Sequence, residues 1–197
     1  MRIDRDYILG LLKVSEKRYT HILGTEKASL KLAEIHHPEI DKYAVSAAAL
    51  LHDLTKEYSV DEHLQVAKKH GVILEEKYLS TPKLLHANTA SIICRYELGL
   101  SDEICDAVYY HTTGRKEMSP LEEIVYFADY IEENRVDEEC VGLRNSYLSF
   151  LEQYSPRTAL DKALVLSFNR TILNLIKKEQ VIDKNTVDAR NYYLNKV

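Results

Sequence analysis

Residues 44–53 read Ala44-Val45-Ser46-Ala47-Ala48-Ala49-Leu50-Leu51-His52-Asp53. The run Ala44 to Leu51 is small or apolar on every face, so the helix that carries it belongs at the buried centre of a bundle. It ends on an imidazole beside a carboxylate. Burying that pair is costly without a charge partner. A divalent cation supplies the charge and accepts both donor types. Taken alone, the pair reads more simply as a hydrogen-bonded core histidine beside a capping aspartate, because so short a match is common by chance.

The surrounding chain is poor in breakers, with 6 glycines and 4 prolines in 197 residues, against a usual combined share of roughly 12%. A β-sandwich or barrel needs more turns than this allows, and no segment alternates with period two. Apolar residues recur at helical spacing almost throughout. The expected fold is therefore all-α, a single helical bundle over residues 1–197. Helices are predicted over Asp4–Val14, Ser15–His36, Ile40–Leu54 and Asp61–His70. Thr81-Pro82 is an N-cap and first-turn pair for a helix reaching Leu98. Ser101 caps a helix ending near His111, and Ser119-Pro120-Leu121-Glu122 is a capping box for one reaching about Asn134. Helices over Leu143–Gln153 and Pro156–Lys178 follow, and Thr186 caps a short last one. The acidic run Asp137-Glu138-Glu139 reads as a solvated loop.

A net charge of −5 argues against a broad nucleic-acid or acidic-membrane surface, though not against a local basic pocket. The charged start MRIDRDYILGLLKV lacks the apolar core of a signal peptide. No apolar run approaches the ~20 residues of a spanning helix. The expectation is a soluble cytoplasmic protein with no nucleic-acid or membrane partner; a homodimer is left open. Cys94, Cys105 and Cys140 form no C-x-x-C pair, which fits a reducing compartment and disfavours both a disulfide framework and a thiolate zinc site.

The His52-Asp53 pair is not isolated. His21 sits in Tyr19-Thr20-His21-Ile22-Leu23, His86 follows Leu84-Leu85, His111 follows Val108-Tyr109-Tyr110, and Asp129 follows Val125-Tyr126-Phe127-Ala128. Each is polar where its neighbours want burial, and helices from separate parts of the chain can converge such side chains in a bundle core. His36, His37, His63 and His70 lie in polar settings and read as surface residues. Glu34-Ile35-His36-His37 holds one E-x-x-H, but the second copy that a ferritin-like bundle requires is missing.

The order H…HD…H…H…D resembles the HD-domain metal-dependent phosphohydrolases, an all-helical superfamily. The flanking segments Arg18-Tyr19-Thr20-His21, Leu50-Leu51-His52-Asp53-Leu54-Thr55-Lys56, His111-Thr112-Thr113-Gly114-Arg115, Ala128-Asp129-Tyr130-Ile131-Glu132-Glu133-Asn134-Arg135 and Thr186-Val187-Asp188-Ala189-Arg190-Asn191 resemble its bacterial YqeK family over nearly the whole chain. That resemblance implies symmetrical hydrolysis of diadenosine tetraphosphate to two ADP, with iron as cofactor. It also implies a metal core over about residues 15–135, followed by C-terminal helices over about 143–197. By resemblance, His21, His52, Asp53 and Asp129 form the primary metal site. His86 and His111 complete a second one or hold phosphate oxygens. Asp53 is the natural bridge, since its two oxygens can serve two cations that clamp an in-line displacement. So many imidazoles favour iron, manganese or another nitrogen-tolerant metal over magnesium.

A polyphosphate substrate needs cations. Arg18 lies one turn before His21, Lys56 follows Asp53 by three, and Arg135 closes the Asp129 segment; all three are expected on phosphate. Arg115 reads equally as a surface cation. Thr112 either donates to phosphate or caps its helix. The tyrosines should be core or interface filler, with Tyr19, Tyr109 and Tyr110 as candidates to stack on a base. The catalytic set is then Asp53, Lys56, His86 and His111. Rival readings are another HD-type phosphohydrolase, acting on nucleoside monophosphates, cyclic nucleotides or guanosine tetraphosphate, and a non-catalytic nucleotide-sensing module.

Overall fold

The computed structural model describes residues 2–75, 78 and 81–197. Among these residues all regular structure is helical. The elements are α1 (Arg5–Leu11), α2 (Glu16–His36), α3 (Lys42–Leu51), α4 (Val60–Lys69), a 3₁₀ turn (Pro82–Leu84), α5 (Leu85–Tyr96), α6 (Asp102–Tyr110), α7 (Pro120–Ile131), α8 (Glu138–Gln153), α9 (Pro156–Lys177) and α10 (Lys184–Leu194). No helix is long and apolar enough to cross a membrane among the described residues.

Helix starts follow the caps. Ser15, Asp41, Ser59, Ser119, Asp137, Ser155 and Asp183 each place a side-chain oxygen on a first-turn backbone N–H, which satisfies a donor the helix leaves open. Ser119 and Glu122 complete the expected capping box, and Ser59 and Glu62 form another. Several boundaries shift for the same reason. Asp137 is the cap of α8, so Glu138 and Glu139 form its first turn instead of a loop; carboxylates there meet the positive end of the helix dipole. Asp183, not Thr186, caps α10. Thr81 makes no side-chain cap bond, and Pro82 opens a 3₁₀ turn before α5. The helix expected over Ile40–Leu54 ends at Leu51, so His52 is its C-cap and Asp53 lies in the turn beyond.

In α3, Ala44, Val45 and Ala47 through Leu51 are all buried. Its small side chains let α2, α6 and α7 pack directly against it, as close interaxial approach requires. From Leu121 to Ala128, α7 is buried on every face. The C-terminal helices are joined to this centre through Phe168, whose ring stacks on Tyr126 at 4.6 Å. They are joined again through the buried Glu123, which accepts from Arg157 at 2.7 Å and from the Tyr193 hydroxyl at 2.6 Å.

None of the four histidines expected at the surface is exposed: His63 is buried, and His36, His37 and His70 are part-buried. His63 is 4% exposed, because it lies one turn before buried Ala67 on the inner face of α4; its Nδ1 meets Thr89 Oγ1 at 2.8 Å. His36 is half-buried against Tyr147, 2.7 Å from its hydroxyl. Burial, then the charge of Arg157, pushes its pKa down to about 4. All three cysteines are free and buried.

The turn after α6 depends on Gly114. Its φ is +60°, and a Cβ there would lie 2.7 Å from Cε1 and Cζ of Phe168. Gly114→Ala combines left-handed strain with overpacking, each about 1–3 kcal/mol. Urea unfolding should show a loss of about 2 kcal/mol or more. Gly10→Ala, with nothing within 4 Å of the new methyl, should lose none; equal midpoints for the two variants would refute the packing argument.

Candidate metal centre

Four helix ends and one helix middle bring the chemistry together. His52 caps α3 and Asp53 follows in the turn; His86 opens α5; His111 caps α6; His21 projects from within α2; and Asp129 stands in the last turn of α7. His21, His52, Asp53, His86 and His111 are each at most 8% exposed.

The histidines share one polarity. Nδ1 of His52 lies 2.7 Å from the Ala49 carbonyl, that of His86 2.7 Å from the Lys83 carbonyl, and that of His111 2.7 Å from the Val108 carbonyl. A carbonyl only accepts, so each Nδ1 carries the proton and each Nε2 of a neutral ring presents a bare lone pair. Those lone pairs turn inward. Nε2 of His86 is 3.0 Å from Nε2 of His111, where two lone pairs repel unless a cation lies between or beside them. Lys56 Nζ, 3.0 Å from His86 Nε2, supplies one donor. Nε2 of His52 and Oδ1 of Asp53 are buried with no hydrogen-bond partner. Orphaned ligand atoms of these two types at one buried point fit a metal ion, which would satisfy all of them.

Asp53 divides the site. Its Oδ1 faces His86 Nε2 at 3.2 Å and His111 Nε2 at 3.7 Å. Its Oδ2 faces His52 Nε2 at 3.4 Å and His21 Nε2 at 3.7 Å. His21-His52-Asp53 and Asp53-His86-His111 are each arranged closely enough to hold an ion. Asp129 Oδ1 joins the first group, 2.9 Å from His21 and 3.8 Å from His52.

Burial alone would raise the pKa of Asp53, but the imidazoles of His52, His111 and His86 that face it hold it well below the usual carboxylate range. Asp129 is likewise held low against burial, by Arg135 and then His21. Burial drives His86 down to about 3, against the pull of Asp53. His111 is also lowered, chiefly by burial. A neutral imidazole is the form that ligates.

Cations surround this anionic pair. Arg18 Nη1 is 2.5 Å from Asp53 Oδ2, and Lys56 Nζ is 3.5 Å from Oδ1. Arg135 binds Asp129 through Nη2 at 2.6 Å and its carbonyl through Nε at 2.6 Å. Arg18, His21 and Arg135 line an open cavity of ≈ 680 Å³ beside the site. The structure thus gathers His21, His52, Asp53, Asp129, His86, His111, Arg18, Lys56 and Arg135. Thr112 lies on the wall of another cavity, of ≈ 360 Å³, with Pro82, Leu175 and Val181. Arg115 is engaged elsewhere, forked onto buried Glu122 at 2.9 and 2.6 Å, so it is a strut for the α7 cap. Its guanidinium also covers the Tyr110 ring at 4.6 Å, which takes that face from any base.

Three contributors escape a reading by residue type. Glu132 accepts from His21 Nδ1 at 3.1 Å; its place one turn after Asp129 was the available signal. Arg144, on α8, donates to the carbonyls of Ile131 at 2.7 Å and Arg135 at 2.9 Å, and also to that of Glu132. His63 and Thr89 back the Thr55 hydroxyl, which donates to the His86 carbonyl at 2.8 Å.

Residues 18–134 match the HD domain family. The chain belongs to the HD-domain family. A symmetrical bis(5′-nucleosyl)-tetraphosphatase of Staphylococcus aureus is 32% identical to this HD-domain chain over 195 residues, 98% of the chain and 95% of the relative. One of the same name from Bacillus subtilis is 30% identical over 199 residues, 98% of the chain and 99% of the relative. A crystal structure from Clostridium acetobutylicum, described as a predicted HD superfamily hydrolase involved in NAD metabolism, superposes with a TM-score of 0.86 at 31% identity, covering 100% of both chains. The YqeK resemblance of the motifs therefore extends over the whole length. The chain is a metal-dependent phosphohydrolase of that family.

Proposed function

We propose that this HD-domain protein hydrolyses diadenosine tetraphosphate symmetrically to two ADP at a two-ion centre bridged by Asp53. The observation that carries the reading is the division of one buried carboxylate between two histidine pairs. His21, His52, Asp53 and Asp129 would hold one ion; Asp53, His86 and His111 would hold the other. The nitrogen-rich donor set favours iron, then manganese, over magnesium. Bound there, the ions supply Lewis acidity for the phosphoryl oxygens and an activated water. The protein's own side chains do the rest. Arg18, Lys56 and Arg135 neutralise and align the polyphosphate, with guanidinium forks and an ammonium point charge. Water adds to one central phosphorus as its bond to the bridging oxygen breaks, and that oxygen leaves on the second ADP.

Residues 1–197 act as one unit in this reading, because Arg144 of α8 holds the turn that carries Glu132 and Arg135. Iron-loaded protein incubated with diadenosine tetraphosphate should yield ADP alone. AMP with ATP would contradict symmetrical cleavage, and no turnover with metal present would overturn the assignment. A panel of nucleoside monophosphates, cyclic nucleotides and guanosine tetraphosphate should be turned over at least ~10-fold less efficiently, since one missing contact of about 1.4 kcal/mol already gives that factor.

A further inference from the structure

We infer that Glu132 is a positioning residue for the ion held by His21, His52, Asp53 and Asp129, and that Gly24 is glycine so that Glu132 can reach its place. The inference rests on the two-ion reading above.

His21 differs from the other three histidines in where it stands. His52, His86 and His111 lie at helix ends, where the carbonyl three residues back is free to accept from Nδ1. His21 lies inside α2, where the helix ladder already uses the preceding carbonyls. Its Nδ1 needs an acceptor from outside the helix, and finds Glu132 Oε1 at 3.1 Å, 111 residues away in sequence. Glu132 is 1% exposed. Its other oxygen accepts from the Asn134 backbone N–H at 2.7 Å. The carboxylate is therefore fixed at both oxygens, and Arg144 fixes the backbone beneath it.

Gly24 faces this carboxylate from α2, one turn beyond His21. A Cβ at Gly24 would lie 2.1 Å from Glu132 Oε2 and 2.6 Å from Asn134 Nδ2. Glycine inside a helix is otherwise unfavourable against alanine, so the close approach accounts for its presence. A carboxylate on the outer nitrogen sets ring orientation and raises the basicity of the inner one. Glu132 thus acts on the ion through His21 alone and leaves the His86-His111 pair untouched.

The test titrates metal-free protein with Co²⁺, followed by visible absorption, for the wild type, Glu132→Ala, Glu132→Gln and Gly24→Ala. Glu132→Ala and Gly24→Ala should weaken one of two binding classes by about 10–100-fold, the usual cost of losing an outer partner, and leave the other class within about twofold. Glu132→Gln keeps an oxygen acceptor and should recover most of the affinity. Unfolding midpoints of the metal-free proteins separate this effect from general loosening, which would weaken both classes together. Unchanged binding in Glu132→Ala, or equal weakening of both classes, overturns the inference. A single class in the wild type would overturn the two-ion reading instead. The inference would then stand only if Glu132→Ala weakened that class at least tenfold and Glu132→Gln restored it.

Discussion

Asp53→Ala should lose metal and activity together while its helical circular dichroism stays that of the wild type. Both effects have one origin. Among the described residues, Asp53 is the single carboxylate facing His21, His52, His86 and His111, with Oδ1 on His86 and His111 and Oδ2 on His21 and His52. Its removal leaves Asp129 on the His21-His52 side alone and no anion shared between the two histidine pairs, so two ions are no longer held side by side. The fall in kcat/KM should be at least ~10³-fold, which corresponds to about 4 kcal/mol of transition-state stabilisation. The helices survive because Asp53 lies in the turn beyond α3, outside its hydrogen-bonded ladder. Elemental analysis and turnover on one preparation test the coupling; a variant that keeps activity, or keeps both ions without activity, would place the centre elsewhere.

Removing the metal should have the second largest effect, on both rate and stability. In its absence, Nε2 of His52 and Oδ1 of Asp53 are buried without partners, and two inward-facing nitrogens lie 3.0 Å apart. Filling the site relieves these defects only in the folded state. At ~100 times the dissociation constant a ligand adds about 2.7 kcal/mol, which for a chain of this size raises Tm by roughly 5–10 °C. Chelation should lower the melting temperature by that amount and reduce turnover to background. Fe²⁺ or Mn²⁺ should restore both, and Mg²⁺ at the same concentration should restore neither fully, because it dehydrates reluctantly and prefers oxygen donors. Full recovery with Mg²⁺ would remove the case for a nitrogen-preferring metal, and an unchanged melting temperature would show that the orphaned atoms are satisfied without an ion.

Much of this centre was legible in the sequence because its ligands contradict their surroundings. His21, His86, His111 and Asp129 each follow or interrupt an apolar run, and only a shared buried site explains several such interruptions at once. The capping box at Ser119 was legible for a local reason, since the residues involved are within one turn of each other. What escaped depended on contacts distant in sequence. His63 looks polar beside Glu62 and Gln65, and only the packing of α4 on α5 turns it inward. Arg115 reads in the sequence equally as a phosphate ligand or a surface cation, and buried Glu122 takes its Nε and Nη2. Glu132 sits among charged residues that resemble a solvated helix end, and its role appears only when α2 arrives with a glycine opposite.

The short hydrogen bonds of the histidines also bear on the order in which the centre assembles. Where Nδ1 bonds the carbonyl three residues back, ring orientation is complete once a single helix end has formed, on the submicrosecond scale of helix growth. His86 and His111 are 25 residues apart, and their pocket closes around Asp53 within one contiguous stretch of chain. The His21 pocket instead waits for a contact spanning 111 residues, with a larger loop-closure penalty. The His86-His111 half of the centre thus rests on contacts closer in sequence than the His21 half does.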